Sequence, residues 1–337
     1  MSFDYSKNCL FVDVSYLTFF RFFALKRWFS FANKEVDTSS ENFKWLENDI
    51  FLEKYKKTLF DTITSIAKSR KCKVPFTNIV FALDCRHKDI WRLKFCNNKS
   101  NNLCPEYNIN YSYKGDRKAT LKKQRFEEYE VFDLVKNTLL PEFINKHKNV
   151  LLSHKNAEAD DCVALGIKHL QNNKNYNKQI WIIASDFDYM QICDSQVHLM
   201  DLKKKQLDIV HLNDANLSNE QYLIKKILLG DKSDNIYPCR FKLDLIGDLN
   251  STHDLRLRKN KEGHYNVTPK VFEKLKNNQL LWDQILTYFN KNKSVLKQNK
   301  KQKSDTIFLD QNILDMNQRL IDFDLIPNNI KIKFESS

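Results

Sequence analysis

The chain has 337 residues, 42% of them hydrophobic, and 55 Lys and Arg against 42 Asp and Glu give a formal charge of +13. That content excludes wholesale disorder, and the length suits one large α/β domain with a smaller helical one. A membrane span is not expected, since the longest apolar stretch, Phe19 to Phe31, is broken by Arg21, Lys26 and Arg27.

Residues 9–14 read as a first strand and 16–32 as an apolar, aromatic helix. From Glu41 to Arg70 the pattern is amphipathic, with Phe51, Tyr55, Leu59, Ile63 and Ile66 at helical spacing as a core-facing stripe. A strand at 78–84 follows. Residues 86–128 then hold 11 Lys or Arg against 5 Asp or Glu, with Trp91, Phe95, Tyr107, Tyr111 and Tyr113 interleaved. Next come a helix over 125–146, a strand at 149–153, a helix over 158–172 and a strand at 179–185. Val197 to Leu212, interrupted by Lys203-Lys204-Lys205, has the pattern of a hairpin closing the sheet. Beyond about 213 the pattern is helical with a break at 237–267. Lys291 to Lys303 holds six lysines and no acid, which reads as an exposed basic linker over about 291–304. Apolar runs alternating with helices predict an α/β fold with a mostly parallel sheet flanked by helices. It is expected over 1–212, with a smaller helical domain over 213–337.

The informative residues stand where the apolar runs stop. Asp13 follows Cys9-Leu10-Phe11-Val12, and Asp84 follows Ile79-Val80-Phe81-Ala82-Leu83. Glu158, Asp160 and Asp161 come after the third run, Asp186 and Asp188 after the fourth, and Asp231 and Asp234 lie in Gly230-Asp231-Lys232-Ser233-Asp234-Asn235. Ligands of such sheets bind at the carboxyl ends of the strands, so acids far apart in sequence can converge on one edge. Crowded carboxylates raise one another's pKa. Oxygen-seeking divalent cations relieve them, and Mg²⁺ or Mn²⁺ suits an all-carboxylate set better than zinc does. Singly, each acid has a plainer explanation as a helix cap or turn residue. Jointly that explanation weakens, because five separate positions would all be acidic by accident. Two such ions suit phosphodiester hydrolysis, one activating a water and the other steadying the leaving oxygen.

Other chemistries find less support. The five glycines, at 115, 166, 230, 247 and 263, build neither a Gly-x-Gly-x-x-Gly nor a Gly-Lys-Ser/Thr loop. The eight cysteines stand singly, with no Cys-x-x-Cys, and no signal-peptide pattern opens the chain. A cytosolic protein with free thiols is expected, in the host cytoplasm if virus-encoded. Asp13-Val14-Ser15 lacks the Asp-x-Asp of a haloacid-dehalogenase-type phosphatase. The basic surplus fits a polyanion partner, although solubility through net charge explains it as simply. Within Tyr111-Ser112-Tyr113-Lys114-Gly115-Asp116-Arg117-Lys118, Lys114 and Arg117 are three apart and share a helical face. That pair suits a phosphodiester and its developing charge, and a neighbouring tyrosine can stack on a base. A solvated basic helix with a core tyrosine is the alternative.

The order Asp13, Phe81-Ala82-Leu83-Asp84, Tyr113-Lys114-Gly115-Asp116-Arg117, Glu158-Ala159-Asp160-Asp161, Ser185-Asp186-Phe187-Asp188 and Gly230-Asp231-Lys232-Ser233-Asp234-Asn235-Ile236 resembles the 5′-nuclease (flap endonuclease) superfamily, with its PIN-like domain. Trp91-Arg92 and Ile321-Asp322-Phe323-Asp324-Leu325-Ile326-Pro327 are similar to its T-even phage branch. The resemblance spans roughly 9–330. It implies a first metal held by Asp84, Glu158 and Asp160, with Asp13 close by through water. A second metal would be held by Asp186, Asp188, Asp231 and Asp234, with Asp161 beside both. The ions would be two Mg²⁺, for which Mn²⁺ can substitute. Lys114, Arg117, Asp84 and Asp186 would be catalytic. Arg92, Tyr113, Lys114, Arg117, Lys118, Lys122 and Lys123 would bind nucleic acid along a helical arch over about 86–128.

The implied activity is that of a structure-specific 5′→3′ exonuclease and flap endonuclease with ribonuclease H-like action, removing RNA primers and 5′ flaps during DNA replication. Its substrates would be branched, nicked or hybrid DNA and RNA. Its partners would be a sliding clamp and a single-strand DNA-binding protein, and the chain itself a monomer. The rivals are a non-catalytic replication-fork binding protein of the same fold and a single-strand PIN ribonuclease. One departure stands out. The duplex-binding helix-three-turn-helix is atypical, because Ile236-Tyr237-Pro238-Cys239-Arg240 leads into a segment with only Gly247 and Gly263. There Asp254, Arg256, Arg258 and Lys259 either hold phosphate or form a simple exposed loop.

Overall fold

The computed structural model describes residues 3–39, 43–99, 112–115, 127–209, 217–241, 265–297, 309 and 311–332. Arg117, Lys118, Lys122 and Lys123, most of the 86–128 arch, the 242–264 segment and residues 298–304 lie outside the described residues. The chain divides into two compact units, one of residues 1–90, 119–216 and 329–337, the other of 91–118 and 217–328.

The first unit is built on five parallel strands in the order β3-β2-β1-β4-β5: β1 Cys9–Asp13, β2 Ile79–Leu83, β3 Val150–Ser153, β4 Ile180–Ile183 and β5 Val197–Met200. The runs of β1, β2 and β4 are almost wholly buried, as a sheet covered on both faces requires. Register aligns the strand ends: Asp13 faces Ala82, Leu83 faces Ser153, and Val12 faces Ile183. Strand order reverses between β2 and β4 on either side of β1, which opens a crevice at that carboxyl edge.

Helix α1 (Val14–Ala32) follows β1 directly, and Asp13 caps it by accepting the Tyr16 N–H at 2.9 Å. The predicted stripe of Phe51, Tyr55, Leu59, Ile63 and Ile66 is buried. The helix that carries it breaks at Leu59–Phe60 into α2 (Asp49–Thr58) and α3 (Asp61–Ala67). Phe22 and Phe29 of α1 meet Phe51 of α2 edge to face, at 5.6 and 6.1 Å between centroids. The predicted 125–146 helix is α5 (Glu127–Leu134) and α6 (Leu140–His147), joined by a π turn over Val135–Leu139. Pro141, in the first turn of α6, has no N–H to offer the preceding ladder, which accounts for the bulge there. Helix α7 (Ala159–Asn172) lies across β1, β2 and β3. Gly166 permits that approach, since a Cβ would come within 2.7 Å of the Phe11 ring and 2.8 Å of Leu152.

The hairpin expected over Val197–Leu212 is not a paired second strand among its described residues. β5 runs parallel to β4, and the return arm keeps a single bridge, Met200 to Gln206. Asp201 forms the turn by accepting the N–H groups of Lys203 and Lys205 at 2.9 and 2.8 Å. The Asp208 carboxylate then takes the Leu199 N–H at 3.2 Å, where a strand carbonyl would otherwise sit.

The second unit holds α4 (Trp91–Lys99), α8 (Asn219–Leu229), a short antiparallel pair β6 (Arg240–Phe241) and β7 (Tyr265–Asn266), α9 (Pro269–Asn277), α10 (Gln279–Lys297) and α11 (Gln311–Ile321). The expected basic linker from Lys291 is corrected as far as Lys297, because those residues finish α10. Asn292 is buried and donates to Asp315 at 2.8 Å and to Gln318 at 2.9 Å. Lys293 pairs with Asp322 at 3.3 Å and also with Asp324. The acids that neutralise this helix end come from far along the chain. No helix among the described residues is long and apolar enough to cross a membrane.

Candidate metal centre

Three strand ends and one helix start bring seven of the nine predicted acids to the first unit. Asp13 closes β1, Asp84 follows β2, Glu158 precedes α7, Asp160 and Asp161 lie in its first turn, and Asp186 and Asp188 follow β4. Glu158, Asp160 and Asp161 each offer an oxygen within 4.8 Å of the others, with Glu158 and Asp161 buried and Asp160 half-buried. The capping explanation also holds for this trio. Glu158 is the N-cap of α7 and donates its N–H to Asp161 Oδ2 at 3.1 Å, and the Asp161 N–H reaches Asp160 Oδ1 at 2.7 Å. Capping and cation binding are compatible, because each carboxylate has about four acceptor sites and a cap uses one.

Asp84 ties three strand ends together. Its Oδ1 accepts the Ala159 N–H at 2.8 Å and its Oδ2 accepts the Ser15 hydroxyl at 2.5 Å, which fixes it between the starts of α1 and α7. Asp186 is exposed and caps its own turn by accepting the Asp188 N–H at 2.8 Å. The electrostatics follow from the crowding. Burial, followed by the charges of Asp84 and Asp186, pushes Asp13 up to about 7, against the Tyr16 N–H that favours its ionised form. Tyr189 lies buried beneath the same group. Burial together with Asp13, Asp160, Asp186 and Asp84 drives its hydroxyl well above the ordinary tyrosine range. Cys85 and Cys162 are raised by burial and by Glu158, Asp84, Asp160 and Asp161. A hard divalent cation fits this set: every donor is a carboxylate oxygen, and the neighbouring charges oppose the ionisation of Asp13.

The other two acids sit in the second unit with cations of their own. Gly230 turns the chain at φ +68, where a Cβ would meet the Ile236 carbonyl at 2.4 Å, so only glycine suits the position. Burial would raise Asp231, but Lys226 at 2.9 Å and the Ser233 donors outweigh it and hold the carboxyl below its ordinary range. Asp234 stands 3.8 Å from the Lys114 ammonium and accepts the Lys114 backbone N–H through its carbonyl at 2.9 Å. Asn235 donates to the Ser112 carbonyl at 3.2 Å, so the 112–115 segment is clasped to this turn.

Among the residues expected to bind nucleic acid, two are placed inside the second unit. Arg92 is 2% exposed, donates through Nε to the Leu320 carbonyl at 2.8 Å and stacks on Trp91. Tyr113 is 3% exposed, with Arg92 and Lys114 over its ring at 5.9 and 5.1 Å. A base-stacking role for Tyr113 requires that ring to be uncovered. Sequence reasoning passed over Ser15 and Tyr189. Ser15 could have been found from its place two residues past a strand-end acid, whereas nothing local marks Tyr189.

The architecture is similar to several solved structures from bacteriophage T5. One was crystallised with metal ions (TM-score 0.48, 16% identity, covering 95% of this chain and 88% of that one). Another is the 5′-exonuclease with zinc bound (0.47, 18%, 95% and 88%). A third is the flap endonuclease in a pseudo-enzyme–product complex with DNA and metal ions (0.42, 18%, 94% and 99%). No family model matches the chain, and no curated protein does. At these values the chemistry has to come from the chain's own residues.

Proposed function

We propose that this protein is a divalent-metal-dependent 5′-nuclease that hydrolyses phosphodiester bonds near the 5′ ends of flaps, nicks and RNA–DNA hybrids. The observation that carries the reading is the convergence of Asp13, Asp84, Glu158, Asp160, Asp161 and Asp186 on one carboxyl edge, where burial, then the charges of Asp84 and Asp186, push Asp13 up to about 7. Asp84, Glu158 and Asp160 would hold one cation and Asp186 with Asp188 another, Asp161 standing beside both. Bound there, Mg²⁺ or Mn²⁺ would supply an acidified water and a positive charge for the leaving oxygen. Ser15 and the Ala159 N–H keep Asp84 aimed at that edge. Lys114 would meet the scissile phosphate and take up its developing charge. In replication such an activity would clear RNA primers and short flaps.

The test is cleavage of end-labelled 5′-flap, nicked and RNA–DNA hybrid substrates, with single-stranded RNA as the comparison. Mg²⁺-dependent products from the 5′ end of the flap and hybrid, abolished by chelator, are expected. Cleavage of single-stranded RNA alone, or none with any divalent ion, would replace this reading with one of its rivals.

A further inference from the structure

Helix α1 is apolar on two opposite faces. Val14, Leu17, Phe22, Leu25 and Phe29 are buried in the core. Phe23, Arg27 and Phe31 recur at intervals of four on the other side, with Trp28 beside them. Phe23 is 43% exposed, Trp28 42% and Phe31 77%. Ile50 of α2, 63% exposed, lies one turn before Lys54, whose ammonium stands 5.2 Å over the Trp28 ring. The apolar surface therefore continues from α1 onto α2. A helix apolar all round is the pattern of a covered helix, and an exposed apolar patch marks an interaction site.

The charge around this stripe is net positive. α1 carries Arg21, Lys26 and Arg27 and no acid, and α2 adds Lys54, Lys56 and Lys57 against Asp49 and Glu53. Two of the nearby acids have local partners: Glu47 pairs with Lys44 at 2.6 Å and Glu53 with Lys56 at 3.1 Å. A second copy of the chain would set Arg27 and Lys54 against their own images, which a two-fold contact does not favour. Opposite charge steers and orients a partner, and Trp and Arg are the residue types that anchor interfaces.

We propose that this outward face of α1, with Ile50 and Lys54 of α2, docks an acidic protein segment that inserts aromatic or aliphatic side chains beside Trp28 and Phe31. The site is separate from the strand-edge acids, and binding is read without cleavage, so it stands or falls independently of the nuclease reading.

The experiment titrates the full chain into a fluorescein-labelled twelve-residue peptide alternating Asp or Glu with Phe and Leu, followed by anisotropy. Saturable binding that weakens with salt is expected. It should fall about 30-fold in Phe31→Ser and Trp28→Ser and by a similar factor in Arg27→Glu. All three positions are surface-exposed, and thermal melts confirm that the variants stay folded. Three outcomes overturn the proposal: no saturable binding, equal binding by the Phe31→Ser variant, or equal binding of a poly-aspartate peptide without apolar residues. Concentration-dependent dimerisation that Phe31→Ser abolishes would assign the face to a second copy instead. Phe31-dependent capture by phosphatidylglycerol vesicles, with no peptide binding, would assign it to lipid.

Discussion

Two groups of carboxylates in this molecule differ in what neutralises them. At the carboxyl edge of the parallel sheet, burial raises Asp13 to about 7 with the help of the charges of Asp84 and Asp186. In the Gly230–Asn235 turn, Lys226 and Lys114 stand beside Asp231 and Asp234, and Asp231 is held below its ordinary range. The residue type is the same and the shift is opposite. Lysines stand beside the acids of the turn, whereas the charges that act on Asp13 at the sheet edge are other acids.

The largest expected effect separates the two on activity. Asp84→Asn or Asp186→Asn should reduce Mg²⁺-dependent flap cleavage to background while nucleic-acid binding stays equal or tightens, because lost negative charge eases phosphate approach. Wild-type rates in either variant would remove those acids from the metal centre. Lys114→Ala should come next, with a single-turnover rate lower by about 10²-fold at saturating enzyme. An unchanged rate with weaker melting would mean that Lys114 serves only to neutralise Asp234.

Stability should split in opposite directions. Asp231→Asn removes the charge paired with Lys226 and should cost about 1–3 kcal/mol. The contribution of Asp231, whose pKa is depressed, is present above the ordinary carboxylate range and is lost as pH falls through the folded value. Asp13→Asn should instead stabilise the metal-free protein by about 1 kcal/mol, since it removes a charge that its neighbours oppose. Because Asp13 is raised, that gain grows as pH rises from the unfolded carboxylate range to about 7 and levels off above it. Chemical denaturation of both variants at several pH values checks the pair. Gly166→Ala, which crowds Phe11 and Leu152, should cost about 1–3 kcal/mol by the same assay and shift the start of α7.

Much of this was legible in the sequence wherever burial is continuous. The strands around Phe11, Phe81 and Ile182 are fully buried runs ended by acids, so both the α/β fold and the positions of Asp13, Asp84 and Asp186 could be read directly. What escaped depends on partners distant in sequence. Lys293 looked like part of a solvated basic run, yet its acids are Asp322 and Asp324. Among the described residues of the expected hairpin, a side chain, Asp208, satisfies Leu199 in place of a second strand. Arg92 and Tyr113 have the composition of a nucleic-acid surface, but the Leu320 carbonyl and the Trp91 ring hold Arg92 inside its own unit. Composition cannot distinguish those outcomes, because a cation beside an aromatic ring is equally a binding surface or a packed core.

The most direct test is a Mn²⁺ titration followed by the electron paramagnetic resonance signal of free ion, on the wild type, Asp84→Asn/Asp160→Asn and Asp231→Asn/Asp234→Asn. The wild type should bind Mn²⁺ saturably, and the Asp84/Asp160 variant should lose at least one ion while remaining folded. The Asp231/Asp234 variant should keep the ion held by Asp84, Glu158 and Asp160. Undiminished binding by the Asp84/Asp160 variant would contradict a metal centre at the sheet edge.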